Sequence, residues 1–192
     1  MRIIKTIVLT STFFCVFAQK SSAQEITAIV MNAMPVKKST ISHLPGALVS
    51  PFFPFGKSKY DLWGLAYVQK DYLEVVVGVA RNFGDFGFGV AVGPEYIPSG
   101  IEARVAVTAY YTRKKNSLYG YIEWYWYGGG IWYMAYYDRT INDWLAVGPY
   151  IQSESGIGGR LTLTIPKTPI SVWGVGGHKG LVVGAQLFLK KK

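Results

Sequence analysis

From Tyr60 onward, apolar and polar positions alternate. Between 101 and 113 the odd positions Ile101, Ala103, Val105, Val107 and Ala109 are apolar, while Glu102, Arg104, Thr108 and Thr112 are polar. Between 157 and 165, Ile157, Leu161, Leu163 and Ile165 alternate with Gly158, Arg160, Thr162 and Thr164. Phe86, Phe88, Val90 and Val92 interleave with Gly87, Gly89, Ala91 and Gly93, so one face of that segment is nearly bare. A period of two belongs to strands, whose successive side chains point to opposite faces. No segment past Tyr60 carries the 3.6-residue period of an amphipathic helix.

Clusters of Gly, Pro, Asn, Asp and Lys divide this region into hairpin-sized pieces. Strands are predicted near 60–69, 72–81, 85–93, 101–113, 118–127, 131–138, 143–151, 157–165, 170–176 and 180–189. That is ten, with eight as the alternative count; an even number suits an antiparallel up-and-down barrel. An internal echo supports the hairpin chain. Ala91-Val92-Gly93-Pro94 recurs as Ala146-Val147-Gly148-Pro149, and the Gly100–Thr108 segment recurs in outline as Gly156–Thr164, which is one repeat every four strands. On this reading Pro94 and Pro149 mark strand ends, where a missing donor is tolerated.

The N-terminal part reads differently. Arg2 and Lys5 precede the apolar run Ile7–Ala18, and Ser21-Ser22-Ala23 supplies small residues for a signal peptidase, so residues 1–23 are expected to be a secretory signal. The single cysteine, Cys15, falls inside that run, so a disulfide framework is excluded. Residues 24–59 hold Pro35, Pro45, Pro51 and Pro54 with several lysines, and are expected to be an irregular lead-in or plug; residues 60–192 then form the barrel.

Composition decides which solvent meets the apolar face. The chain is 50% hydrophobic and 16% aromatic but only 16% charged, with a formal net charge of +9. A soluble barrel keeps its apolar face inside and displays Lys, Glu and Asp outside. Here the polar strand faces carry Tyr, Thr and Gly, and most charges fall in turns, as a membrane slab imposes. Trp132, Tyr133, Tyr136, Tyr137 and Trp144 lie beside turns and are candidates for an aromatic girdle. In this pattern, over residues 60–189, the chain resembles the small outer-membrane β-barrels of bacteria, the eight- to ten-stranded class similar to OmpA, OmpX and OmpW. The resemblance implies the outer membrane, membrane lipid and the barrel-assembly machinery as partners, and no cofactor. That class commonly ends in an aromatic residue; this chain ends Leu187-Phe188-Leu189-Lys190-Lys191-Lys192, so Phe188 is the residue expected to take that part.

The polar faces carry the candidate chemistry. Arg104 and Arg160 hold equivalent places in the repeat, and a tight turn at Lys114-Lys115 sets Glu123 diagonally across from Arg104, within same-face reach. Buried charges need partners, so Glu102, Arg104, Glu123 and Arg160 are predicted to form a lumen network, either as filler or as the gate of a narrow pore. Strict meandering gathers Arg81, Arg113, Lys114, Lys115, Arg139, Lys167 and Lys190–Lys192 at the end that holds both termini, a surface for anionic head groups or an anionic periplasmic partner. Nucleic acid is excluded as a partner, since these residues are not interleaved on one reading element. Two alternatives remain open: a secreted soluble barrel binding a small apolar or sugar ligand, and a membrane-barrel lipid-modifying enzyme. For the latter only His43 and His178 are available as bases, and the nearest serine to His178 among the strands, Ser171, is seven residues away. Two histidines and no mature cysteine make a zinc site improbable.

Overall fold

The computed structural model describes residues 25–37, 40–41, 44–54, 59–126 and 130–190. The expected signal segment and His43 lie outside them. The described residues form thirteen strands: β1 (Glu25–Lys37), β2 (Thr40–Ile41), β3 (Leu44–Pro54), β4 (Tyr60–Gln69), β5 (Tyr72–Phe83), β6 (Phe86–Ile97), β7 (Gly100–Arg113), β8 (Asn116–Tyr125), β9 (Ile131–Asn142), β10 (Leu145–Gln152), β11 (Gly156–Thr164), β12 (Ile170–Gly177) and β13 (Gly180–Lys190). From β3 to β13 each strand pairs with its neighbours in sequence, and β1 pairs antiparallel with both β3 and β13, which closes the sheet. The two-residue β2 is a ribbon on the tip of β1. The barrel therefore has twelve staves.

This corrects the count of ten and the reading of residues 24–59. All ten predicted strands are present, 60–69 with its bounds unchanged and the other nine with shifted ends, and β1 and β3 are added from the proline-rich segment. The alternation failed there because β1 is apolar on both faces. Ile29, Met31 and Ala33 pack inward, while Val30 is 61% exposed. Pro51 and Pro54 sit in β3, which spends its pairing on β1 and β4 and closes the wall rather than plugging it. Two-residue connections at Lys70–Asp71, Gly84–Asp85, Pro98–Ser99, Lys114–Lys115 and His178–Lys179 fix register, since such tight turns allow little slippage.

The faces fall as the alternation predicts. Outside are Val77, Val79, Val90, Val92, Ile122, Leu161, Leu163 and Val172, each at least 38% exposed. Inside are Val76, Ala80, Ala91, Ala106, Arg104, Thr108 and Arg160. On β6 the bare inner positions are needed: a Cβ at Gly87 would meet the Tyr110 ring at 2.1 Å, and one at Gly89 would meet Trp63 Nε1 at 2.6 Å. The outward aromatics form two bands. Tyr60, Phe83, Phe86 and Trp144 lie towards one end, and Tyr96, Trp124, Trp126 and Tyr133 towards the other. Phe86 and Tyr96 are ten residues apart on β6, roughly 33 Å of strand and, at the usual tilt, about 25 Å of height, which is the apolar band of a membrane barrel.

The proposed girdle is corrected in part. Tyr133 and Trp144 face outward, 40% and 49% exposed, and Tyr137 shares the outward face of β9. Trp132 and Tyr136 point inward, against Tyr121 and Tyr119. Parity on β9 alternates, so five aromatics spread over odd and even positions cannot share one surface. At the C-terminal end Phe188 has the same parity on β13 as buried Val182, yet it is 41% exposed near the end of the strand.

The repeat is a structural one, with one correction. Pro94 and Pro149 lie within β6 and β10, not at their ends. At each Gly-Pro pair the ladder to the preceding strand lapses, between Glu74↔Glu95 and Val77↔Val92 in one repeat and between Arg139↔Val147 and Tyr136↔Tyr150 in the other. A proline has no N–H to give, and the glycine lets the neighbouring backbone press close. Pairing to the following strand is unbroken, and it sets Gly93 opposite Arg104 and Gly148 opposite Arg160.

Candidate functional site in the barrel interior

Two charged clusters stand on the inner wall. The first is built from β5, β6, β7 and β8. Register puts Glu74 opposite Glu95, Gly93 opposite Arg104, and Tyr125 on the other side of Arg104. The Arg104 guanidinium forms a salt bridge through Nη2 to Glu95, and its central carbon lies 3.1 Å from the centroid of the Tyr125 ring. Tyr72 donates its hydroxyl to Glu74 Oε2 at 2.9 Å, and Tyr121 donates to Glu123. Glu123 reaches across from β8 to the Glu74 carboxyl of β5. Glu74, Glu95, Arg104 and Glu123 are all within 4% of complete burial. The cluster sits towards the end that carries the turns Lys70–Asp71 and Pro98–Ser99, and on that rim Trp132 donates Nε1–H to Glu154 Oε1 at 2.5 Å.

The second cluster comes from β9 and β11, nearer the middle of the wall. Arg160 Nε lies 3.3 Å from Asp138 Oδ2 and donates to Thr162 Oγ1 at 3.2 Å. Its guanidinium carbon stands 3.9 Å from the Tyr136 ring centroid and 5.0 Å from that of Trp173. In each cluster a glycine faces the arginine across the ladder, and aromatic rings cover the guanidinium's planar faces, the geometry that suits a desolvated guanidinium.

Between and around these clusters the interior is packed. Trp63, Leu65, Val76, Ala106 and Tyr121 form one apolar group, and Tyr150, Trp173, Val175 and Val182 another, each residue at most 7% exposed. Trp63 meets Tyr121 edge-on across the lumen at 6.5 Å, and Phe52 meets Tyr110 at 6.3 Å. The lumen is occupied by side chains at these levels.

The predicted four-residue network is thus resolved into two. Arg104 and Glu123 share the first cluster, with Glu123 diagonal to Arg104 as the register argument requires, since it faces Ala106 in the ladder. Arg160 belongs to the second, and Glu102 is only half-buried, opposite Glu95. The partners that sequence reading missed are Glu95 and Asp138. Glu95 lies beyond the predicted strand end at 93, and Asp138 is the last residue of the predicted strand 131–138, beside the turn, whereas β6 runs to Ile97 and β9 to Asn142. The parity of Ala91-Gly93-Glu95 and of Trp132-Tyr136-Asp138 was the available signal.

His178 occupies the tip of the β12–β13 hairpin, where its Nδ1 accepts the Ile157 amide proton at 3.1 Å. Ser171 pairs with Thr164 at the opposite end of β12, so the structure does not bring that serine to His178. Arg113 faces Asp85 at 3.5 Å on the exposed turn side of the basic end, and Arg81 stacks on Tyr60 and Phe83.

No protein-family model matches the sequence, and no curated protein matches it. Solved structures do. The KdgM porin, alone and in complex with disordered oligogalacturonate, aligns at a TM-score of 0.59 with 14% identity, covering 84% of this chain and 98% of the porin. The NanC porin aligns at 0.52 with 10% identity, covering 87% of this chain and 100% of the porin. The likeness is one of fold, a closed antiparallel barrel of the porin kind; with twelve staves the chain falls outside the eight- to ten-stranded class.

Proposed function

We propose that the chain is an outer-membrane, porin-like channel whose path is narrowed by the two charged clusters, which act as its gate. The observation that carries this reading is that Arg104–Glu95 and Arg160–Asp138 are buried ion pairs on the inner wall of a closed barrel whose outer wall is apolar. Eight staves leave room only for side chains, and twelve enclose more space, so closing this lumen falls to the side chains themselves. Apolar filler would hold it shut at lower cost than desolvated ions. Paired charges have a property that filler lacks, since they can exchange partners with a passing ion or water and so open a path. The fold shared with porins supports this reading.

On this reading residues 1–23 export the chain, membrane lipid surrounds the aromatic bands, and the barrel-assembly machinery inserts it. The basic end, with Arg113, Lys114, Lys115, Arg139 and Lys167, faces the periplasm together with the termini and offers a surface to anionic head groups or an anionic partner. No cofactor is required. The soluble alternative needs its apolar face enclosed, and Leu161 and Leu163 instead stand 45% and 38% exposed beside buried Arg160. Among the described residues the enzyme alternative rests on His178.

Planar-bilayer recording of the refolded full chain tests the proposal. The wild type should give small currents with long closures, and Arg160→Ala should raise the open-channel current about threefold by emptying the waist. Folded wild-type, Arg104→Ala and Arg160→Ala barrels that all stay silent would leave a purely structural role.

A further inference from the structure

The second cluster is balanced, one guanidinium against one carboxylate. The first is not. Three buried carboxylates, Glu74, Glu95 and Glu123, stand in a cluster with one guanidinium, that of Arg104, which pairs with Glu95. Glu74 Oε1 is buried and receives a hydrogen bond from no N–H or O–H donor among the described residues, and Glu123 approaches the same carboxyl from across the lumen. Two carboxyl groups that close either share a proton or hold positive charge between them. Arg104 supplies it poorly: its Nε and Nη1 protons find no acceptor, and its hold rests on Glu95 and on the face of Tyr125.

Further out on the same rim stand Glu102, half-buried, and Glu154, exposed and joined to the half-buried Trp132. Tyr72 and Tyr125 add half-buried rings. Lys70 and Lys179 lie exposed on the hairpin tips at this end, and Lys37 ends β1 on the same side. A solute entering here meets carboxylates and aromatic faces in succession, the pair of groups that recognises an ammonium or guanidinium.

We infer that this mouth is a binding site for organic cations, solutes bearing an ammonium or guanidinium group, and that the Arg104 side chain is the internal occupant they displace. The inference deepens the channel reading by naming its class of solute. An incoming cation takes the place between Glu74 and Glu123, weakens the Glu95–Arg104 attachment by competing for the carboxylates, and frees the guanidinium to swing aside. The gate and the recognition site are then one structure, and an anionic solute lacks the means to open it.

Spermidine is the probe, titrated calorimetrically into the detergent-folded full chain, with a uronic-acid trisaccharide as the anionic control. Spermidine should bind saturably, about tenfold more weakly to the Glu74→Gln/Glu123→Gln double variant and more tightly to Arg104→Ala, and the trisaccharide should give no heat. Equal affinity in the double variant, absence of spermidine binding by the wild type, or preference for the trisaccharide would overturn the inference. Should the double variant fail to fold, the wild-type reversal potential in a KCl gradient decides instead, cation selectivity being expected and anion selectivity fatal. Spermidine binding without any bilayer current would sink the channel and leave the site; current with anion selectivity would do the reverse.

Discussion

Glycine at positions 93 and 148 is a packing requirement. A Cβ at Gly148 would come within 1.5 Å of the Tyr137 carbonyl oxygen, and one at Gly93 within 1.8 Å of that of Val75. These atoms are backbone and cannot rotate away. Gly159, one residue before the arginine of the second cluster, has nothing within 4 Å of its added Cβ. Gly148→Ala should therefore cost about 1–3 kcal/mol, the range of overpacked sites, whereas Gly159→Ala should leave stability nearly unchanged; urea unfolding followed by heat-modifiable gel mobility compares the two. The glycines and the arginines were visible in the sequence as a repeat. That the glycine of one strand faces the arginine of the next was not, because facing depends on register across a hairpin.

At the scale of the strand, alternation settled ten of the twelve staves and which of their faces is apolar. Strand ends were less legible where the alternation crosses a proline. Glu95 follows Pro94, and ending the strand at the proline hid the partner of Arg104; in the folded wall the proline loses a bond to β5 only, while β7 keeps β6 straight to Ile97. Outward side chains in the middle of these strands meet hydrocarbon. Val90→Arg should then destabilise the barrel by about 2–4 kcal/mol in lipid vesicles, and a change near zero, measured by denaturant titration in vesicles, would mean that Val90 faces water. Trp132 shows the limit of composition at this scale. An aromatic beside a turn suits a girdle, but the parity of β9 sends it inward.

Closure belongs to the whole molecule. β1 joins β13 from Glu25↔Lys190 to Pro35↔Gly180, and without it β3 and β13 would both present long open edges. Deletion of residues 25–54 should thus abolish the compact gel form and give aggregates, where a dispensable plug would leave a folded ten-stranded barrel. The two charged clusters are also a property of the closed form. Glu123 meets Glu74 from three strands away, and Trp63 meets Tyr121 from four, distances that local pairing does not fix.

By itself the sequence determined the material of the wall: strands by their period of two, an apolar face turned to lipid by the scarcity of charge on its strands, and two equivalent inward arginines by the repeat. The first two properties are local, set by residues within one hairpin of each other, and the third comes from matching two segments of the chain. Tertiary structure alone decided the number of staves, the partners of each arginine and the surplus of carboxylates at one mouth. These follow from which strands become neighbours when the ends of the sheet meet, and β1, apolar on both faces and interrupted by proline, carries no period that announces its place.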